Sequence, residues 1–196
     1  KADVHKNVLD IKRLWYTQML WGRLSYNPET SDQVFINEMA YRYPEVPATT
    51  LFGAWSDASR GLPLAAEVIQ GSLCFDFHWW PELCQGNKGF LTIEDFMKAT
   101  PSIGSELCSI KESAAGGCPS GLSSDGVADK VQMTAEFALK KLATISADGN
   151  PDLEVNIKSI YAQAYLSLYY AEKIRAATAK AADRNQDART ALGSAE

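Results

Sequence analysis

The sequence predicts an all-α fold, an irregular multi-helix bundle, and three observations carry that expectation. Apolar residues recur at helical spacing through most of the 196 residues. Cap-forming Ser and Thr, Asn-Pro steps and Gly divide those stretches at helix-like lengths. The one alternating segment, residues 73–79, is too isolated to build a sheet. The bundle should end in two long antiparallel helices and carry one aromatic-rich irregular segment at 74–84.

Val4, Val8, Ile11, Trp15, Met19 and Gly22 form the stripe of a first helix, widened by Leu14 and Trp21. It should end at residues 23–26, because the Asn27-Pro28 step disfavours further helix. Thr30-Ser-Asp-Gln33 matches a capping box on the Thr30 hydroxyl, opening a short helix with Val34, Phe35 and Met39 inside. Pro44 and Pro47 close it. A third helix begins near 48–50 and buries Leu51, Phe52, Trp55 and Ala58. Pro63 lacks the N–H that would bond back to Ser59, so a kink or break is expected at Gly61-Leu-Pro63. Helix then resumes through Ala65, Val68 and Ile69, and Gly71 is placed to end it.

After the aromatic segment and a polar turn at 85–89, Thr92-Ile-Glu-Asp95 opens a short helix that Pro101 limits. Another is expected at 105–115, followed by a Gly- and Ser-rich surface loop at 116–126. Val127, Val131, Thr134, Ala138, Leu142 and Ile145 share one face of a long helix, with Phe137 beside them. A turn at Asp148-Gly-Asn-Pro151 leads to a second stripe of Ile157, Tyr161, Ala164, Leu168 and Ala171. So short a turn implies antiparallel pairing. The stripe fades after Ala177, which predicts a frayed tail over 181–196. The expected organisation is one helical domain: shorter helices and the aromatic segment over 1–115, then a hairpin over 127–180.

A formal charge of −5 and a pI near 5.1, with no basic cluster, argue against a nucleic-acid or anionic-membrane partner. No apolar run approaches the roughly 20 residues that span a bilayer. The chain starts at Lys1, without methionine or a charged-then-apolar leader, which reads as a mature exported protein or an internal fragment. A fragment of a larger protein is the expectation.

Cys74, Cys84, Cys108 and Cys118 allow three pairings, and spacing suggests Cys74–Cys84 with Cys108–Cys118. Two such clips fit an oxidising compartment, while free buried cysteine is the alternative. No close Cys-x-x-Cys pair supports zinc. No metal and no cofactor is expected.

The segment 74–84 holds Asp76, His78, Trp79, Trp80 and Glu82. In extended chain Asp76 and His78 share one side. No second histidine stands nearby to complete a metal site, and no scaffold sets two carboxylates across a sugar-sized cleft. Hydrogen-bonded supporting roles suit Asp76 and His78 better. Adjacent Trp79 and Trp80 point opposite ways in extended chain, so one should face a cleft or partner and the other the core. An exposed aromatic face stacks on the C–H face of a sugar ring and leaves the hydroxyls to polar neighbours. The bland alternative has both rings filling gaps between helices.

A second cluster lies at Trp21, Arg23 and Tyr26: Arg23 to pair a carboxylate, Tyr26 to line the same cleft, and Gly22 to permit close packing. Asp148-x-Asn150-x-Asp152 begins like a calcium loop, but Leu153 stands where glycine is required and Ser159 where glutamate is. It reads as a turn. Tyr161, Tyr165, Tyr169 and Tyr170 read as a packing seam.

The run Trp15-Tyr-Thr-Gln-Met-Leu-Trp-Gly-Arg-Leu-Ser-Tyr-Asn-Pro28, with a capped helix ending at Tyr43-Pro44, resembles the helical region that follows the catalytic barrel in polysaccharide-degrading glycoside hydrolases. The likeness is to the α-glucuronidase type, in which a Gly-Arg-Leu, aromatic, Asn-Pro run opens that region. Leu51-Phe-Gly-Ala-Trp55 and residues 75–82 also look like parts of large secreted carbohydrate-active proteins of gut-type bacteria. The resemblance covers roughly residues 8–100, and nothing after Gly116 takes part in it. Catalytic carboxylates in such enzymes sit in the barrel, so no catalytic residue carries over. What the resemblance implies is a non-catalytic accessory domain, secreted, periplasmic or at the cell surface. It would pack on a catalytic domain of the same polypeptide, complete one wall of a cleft for a uronic-acid-bearing glycan, and support homodimer formation. Two other readings stand beside it: a helical protein–protein interaction module, and a self-standing hydrolase using Asp76 and Glu82.

Overall fold

The computed structural model describes residues 14–69, 91–118, 121–147 and 149–195. Among them are eight helices and no strand: α1 Trp15–Tyr26, α2 Asp32–Arg42, α3 Ala48–Glu67, α4 Ile93–Lys98, α5 Ile110–Ala114, α6 Ser124–Leu142, α7 Pro151–Ala181 and α8 Asn185–Ser194. The fold is all-α. Val4, Val8, Ile11, Gly71 and the whole segment 74–84 lie outside the described residues, as does Asp148. No described helix is long and apolar enough to cross a membrane.

Helices α3, α6 and α7 make the body. At one end of the α6–α7 hairpin Ser124 and Thr178 hydroxyls meet at 2.8 Å, and Arg175 reaches Asp129 at 2.7 Å. Leu142 and Leu153, at the other, belong to one core cluster, and the pair runs antiparallel. Lys141 bonds Asp57 on α3, and Gly61 of α3 lies beside Thr134 and Ser167, so α3 runs parallel to α7.

The core has two lobes. Phe35, Met39, Leu51, Ala58, Leu142 and Ile160 belong to one, and Leu62, Phe96, Ile110, Val131, Tyr170 and Ile174 to the other. Small residues mark the waist between them. A Cβ on Gly61 would stand 2.3 Å from Ser167 Oγ and 2.7 Å from its Cβ. Only a residue without a side chain lets α3 and α7 approach this closely.

Several local expectations are corrected. Helix α3 is continuous through Pro63. Its buried face, from Leu51 and Ala54 through Ala58 to Leu62 and Ala65, spans the proline on both sides. Burial at roughly 0.8 kcal/mol per CH₂ exceeds the ~3 kcal/mol that an interior proline costs. The helix ends at Glu67, with Val68 and Ile69 still buried. The α2 cap is Ser31, whose Oγ accepts from Gln33 N–H, while the Thr30 hydroxyl donates to Asn27 C=O at 2.6 Å.

The capping box at Thr92 and Asp95 forms as expected. The helix expected over 105–115 shrinks to α5, because Glu106 and Leu122 pair backbone to backbone and the Cys108–Cys118 disulfide holds the same stretch. The 116–126 loop is correspondingly shorter, since α6 already starts at Ser124 with Ser123 as its cap.

The tail is not frayed. Asp183 takes a left-handed turn at φ 59°, and α8 folds back on α7 with Ala188 and Ala191 buried. Alanine faces carry a weak hydrophobic signal, yet they allow helices to pack closely.

Candidate functional site

Trp15 and Tyr16 anchor α1. Their rings pack against Trp55 of α3, with centroids 6.3 and 4.5 Å away, and Tyr16 meets Phe35 of α2 edge-on at 6.4 Å. Five residues after Tyr16 the helix has turned about 140°, which carries Trp21 out of the core. It is 69% exposed.

A groove of about 520 Å³ lies between Trp21 and this aromatic nest. Tyr16, Leu20 and Leu24 line it from α1, Asp32 and Phe35 from α2, and Phe52, Trp55, Ser56, Ser59 and Arg60 from α3. Gln163 enters from α7. The groove is aromatic on its walls and polar at its edges, and its volume suits a small-molecule or sugar-sized ligand.

Burial, helped by the Asp32 carboxylate, pushes the Tyr16 phenol up to about 12. It therefore keeps its proton at neutral pH. Gln163 Oε1 and Trp15 Nε1 are buried and have no hydrogen-bond partner among the described residues. An unpartnered buried acceptor costs ~1–3 kcal/mol.

Beside the groove is a second hollow of about 530 Å³, lined by Gly22, Arg23, Tyr26, Asn27, Glu29, Thr30, Ser31 and Val34. Thr30 borders both. Of the residues expected in one cluster, Trp21 thus lines the groove, while Arg23 and Tyr26 line the adjoining hollow. Tyr26 is 93% exposed. The close-packing role expected for Gly22 is corrected: an added Cβ would meet nothing within 4 Å among the described residues. Asp76, His78, Trp79, Trp80 and Glu82 lie outside the described residues, so the contact expected between Tyr26 and Trp79 does too.

A third polar group ties α2 to the start of α7. The Tyr43 hydroxyl donates to Asp152 Oδ2 at 2.6 Å, Arg42 Nε donates to the same oxygen at 3.1 Å, and Asn156 Nδ2 donates to the Tyr43 oxygen at 3.0 Å. Burial and the bond to Asp152 both raise the Tyr43 phenol, and the ring is 1% exposed. This is a strut rather than a reaction centre. Asn150, in the turn that only begins like a calcium loop, caps α7 by accepting from Leu153 N–H at 3.1 Å. Along the tyrosine seam, Tyr170 is in the core, while Tyr165 stacks on Tyr161 at 6.2 Å and is 59% exposed.

Phe52 and Trp55 were legible as an apolar face, but not as a groove wall. Gln163 had no signal at all: a lone Gln on a long helix reads as solvated. Comparison with family models, curated proteins and solved structures finds no match to this chain.

Proposed function

We propose that the chain is a non-catalytic helical accessory domain of a carbohydrate-active protein, and that the Trp21 groove takes a sugar ring. The observation that carries this is the pairing of an exposed indole with a polar edge. A pyranose has an apolar C–H face and an equatorial ring of hydroxyls. Trp21 offers a face to the first, while Asp32, Ser56 and Arg60 offer acceptors and donors to the second. The Cys108–Cys118 disulfide supports an oxidising, extracytoplasmic setting. The likeness of residues 8–100 to the region behind a glycoside hydrolase barrel supports a catalytic module as the neighbour in the same polypeptide.

The test is calorimetric titration with oligosaccharides, neutral and uronic-acid-bearing, against the wild type and Trp21→Ala. Saturable heat that Trp21→Ala weakens tenfold or more supports the reading. No heat with any glycan sinks it.

A second reading has its own observation. Met133 and Phe137 on α6 and Tyr165 and Leu166 on α7 are 41–59% exposed. Exposed large apolar side chains on two paired helices suit a protein partner. Binding of a protein that Phe137→Ser abolishes and Trp21→Ala leaves intact would favour it.

A further inference from the structure

We infer that the Gly22–Tyr26 hollow is a second sugar subsite, so that the ligand is a chain of several sugar units rather than a single ring. This inference rests on the glycan reading of the Trp21 groove. It starts from an unexplained glycine. Gly22 sits inside α1, where glycine weakens a helix relative to alanine. Glycines of this kind are explained by a left-handed turn or by close packing, and neither applies among the described residues: Gly22 is helical and a Cβ there would meet none of their atoms within 4 Å. What its missing side chain does is leave room. Position 22 stands one turn before position 26 on the same side of the helix. A methyl there would reach no described atom within 4 Å, but a leucine-sized side chain would occupy the hollow that Gly22 and Tyr26 line together. With glycine, the ring is bare and 93% exposed, with Arg23, Asn27 and Glu29 around it as hydrogen-bonding groups.

The spacing decides the ligand class. Trp21 and Tyr26 are separated along α1 by about 7.5 Å and around it by about 140°. One ring cannot cover both. The two hollows do adjoin, sharing Thr30, whose hydroxyl is already committed to Asn27 C=O and so holds the ridge between them. A linear oligosaccharide laid over the end of α1 fills both.

Calorimetry with ladders of one to six units of xylo-, cello-, manno- and malto-oligosaccharides tests this on the wild type, Gly22→Ala, Gly22→Leu and Tyr26→Ala. The expected result is affinity that rises with chain length and then levels off. Gly22→Leu and Tyr26→Ala should remove that gain, about tenfold on the longest chains for one lost stacking contact, while the shortest binding unit keeps its affinity. Both Gly22 variants should melt at or above the wild-type temperature.

Binding that depends on Trp21 but not on length, or that Gly22→Leu leaves untouched, overturns the second subsite and spares the groove. A lowered melting temperature for Gly22→Ala shows a structural glycine and overturns it as well. Absence of binding by every ladder removes the glycan reading and this inference together.

Discussion

Gly61→Ala should destabilise this protein although alanine is the better helix former. The gain in helix propensity is at most about 1 kcal/mol. Against it stands a new methyl 2.7 Å from Ser167 Cβ, where ordinary contact begins at 3.4 Å. A rotamer change can move Ser167 Oγ away, but it cannot move Cβ, which is fixed to the α7 backbone. Relief therefore requires α3 and α7 to separate at the waist where the two core lobes meet. Overpacking of this kind costs ~1–3 kcal/mol, and a backbone-borne clash belongs at the upper end. The net loss is about 2 kcal/mol, or a fall in Tm of about 4–8 °C for a chain of this size. Thermal denaturation of Gly61→Ala, Ser167→Gly and the double variant measures it. The double variant removes both clashing atoms, so the cycle should show a favourable coupling of about 1 kcal/mol or more. A single variant as stable as the wild type, or two effects that simply add, would refute the close-approach account. The same separation pulls Ser59 and Arg60 of α3 away from Gln163 of α7, so ligand affinity in the groove should fall with stability.

Pro63→Ala should stabilise, by up to ~3 kcal/mol, because Pro63 lies on the exposed face of a continuous helix and alanine restores the bond to Ser59 C=O; a lower Tm would mean that the proline ring contributes packing. The paired Cys108→Ser, Cys118→Ser variant reopens a loop spanning ten residues of sequence separation and should lose about 2–3 kcal/mol, read by urea denaturation under non-reducing conditions; an unchanged midpoint contradicts it. Alkaline pH should destabilise. Tyr16 and Tyr43 both titrate above the ordinary value of 10.0 when folded, so the unfolded chain gives up their protons first. Their contribution is intact below pH 10 and is lost as pH rises through the folded values. Tm measured from pH 8 to 11.5 should fall, and less steeply in Tyr16→Phe.

The helices were legible where one face repeats strongly. Val127, Val131, Ala138 and Leu142 are buried in α6 as their spacing requires. Thr92 with Asp95 announced a helix start, and Ser109 with Glu112 carried the same signature inside a stretch expected to be helical from Ser105. There the error was one of boundary: the box names the true start, and the residues before it are held by the Leu122 pairing and the disulfide. Pro63 and the tail misled for a common reason. Local propensity opposed helix in one, the apolar stripe faded in the other, and packing on neighbouring helices decided both. The groove was legible only through Trp21. Its other walls come from α2, α3 and α7, and periodicity shows which face of a helix is buried without showing which neighbour it meets.

The two glycines separate structural need from functional use. Gly61 breaks a helix rule, and the cause lies in the fold: Ser167 occupies the place of its side chain. Gly22 breaks the same rule with open space around it. Trp21 leaves an indole in water, and Gln163 leaves a buried acceptor without a partner. Each of these last three carries a cost that no contact among the described residues offsets, and all three line the two adjoining hollows at the end of α1. Among those residues the other buried unpartnered atom, Trp15 Nε1, belongs to the aromatic nest. Sequences are locally consistent except where function requires otherwise. Three unrelated inconsistencies, of backbone, of burial and of hydrogen bonding, converge on one surface. A ligand that stacks on Trp21 and fills the space over Gly22 would offset the first two at once, and its binding should raise Tm in the wild type by more than in Trp21→Ala.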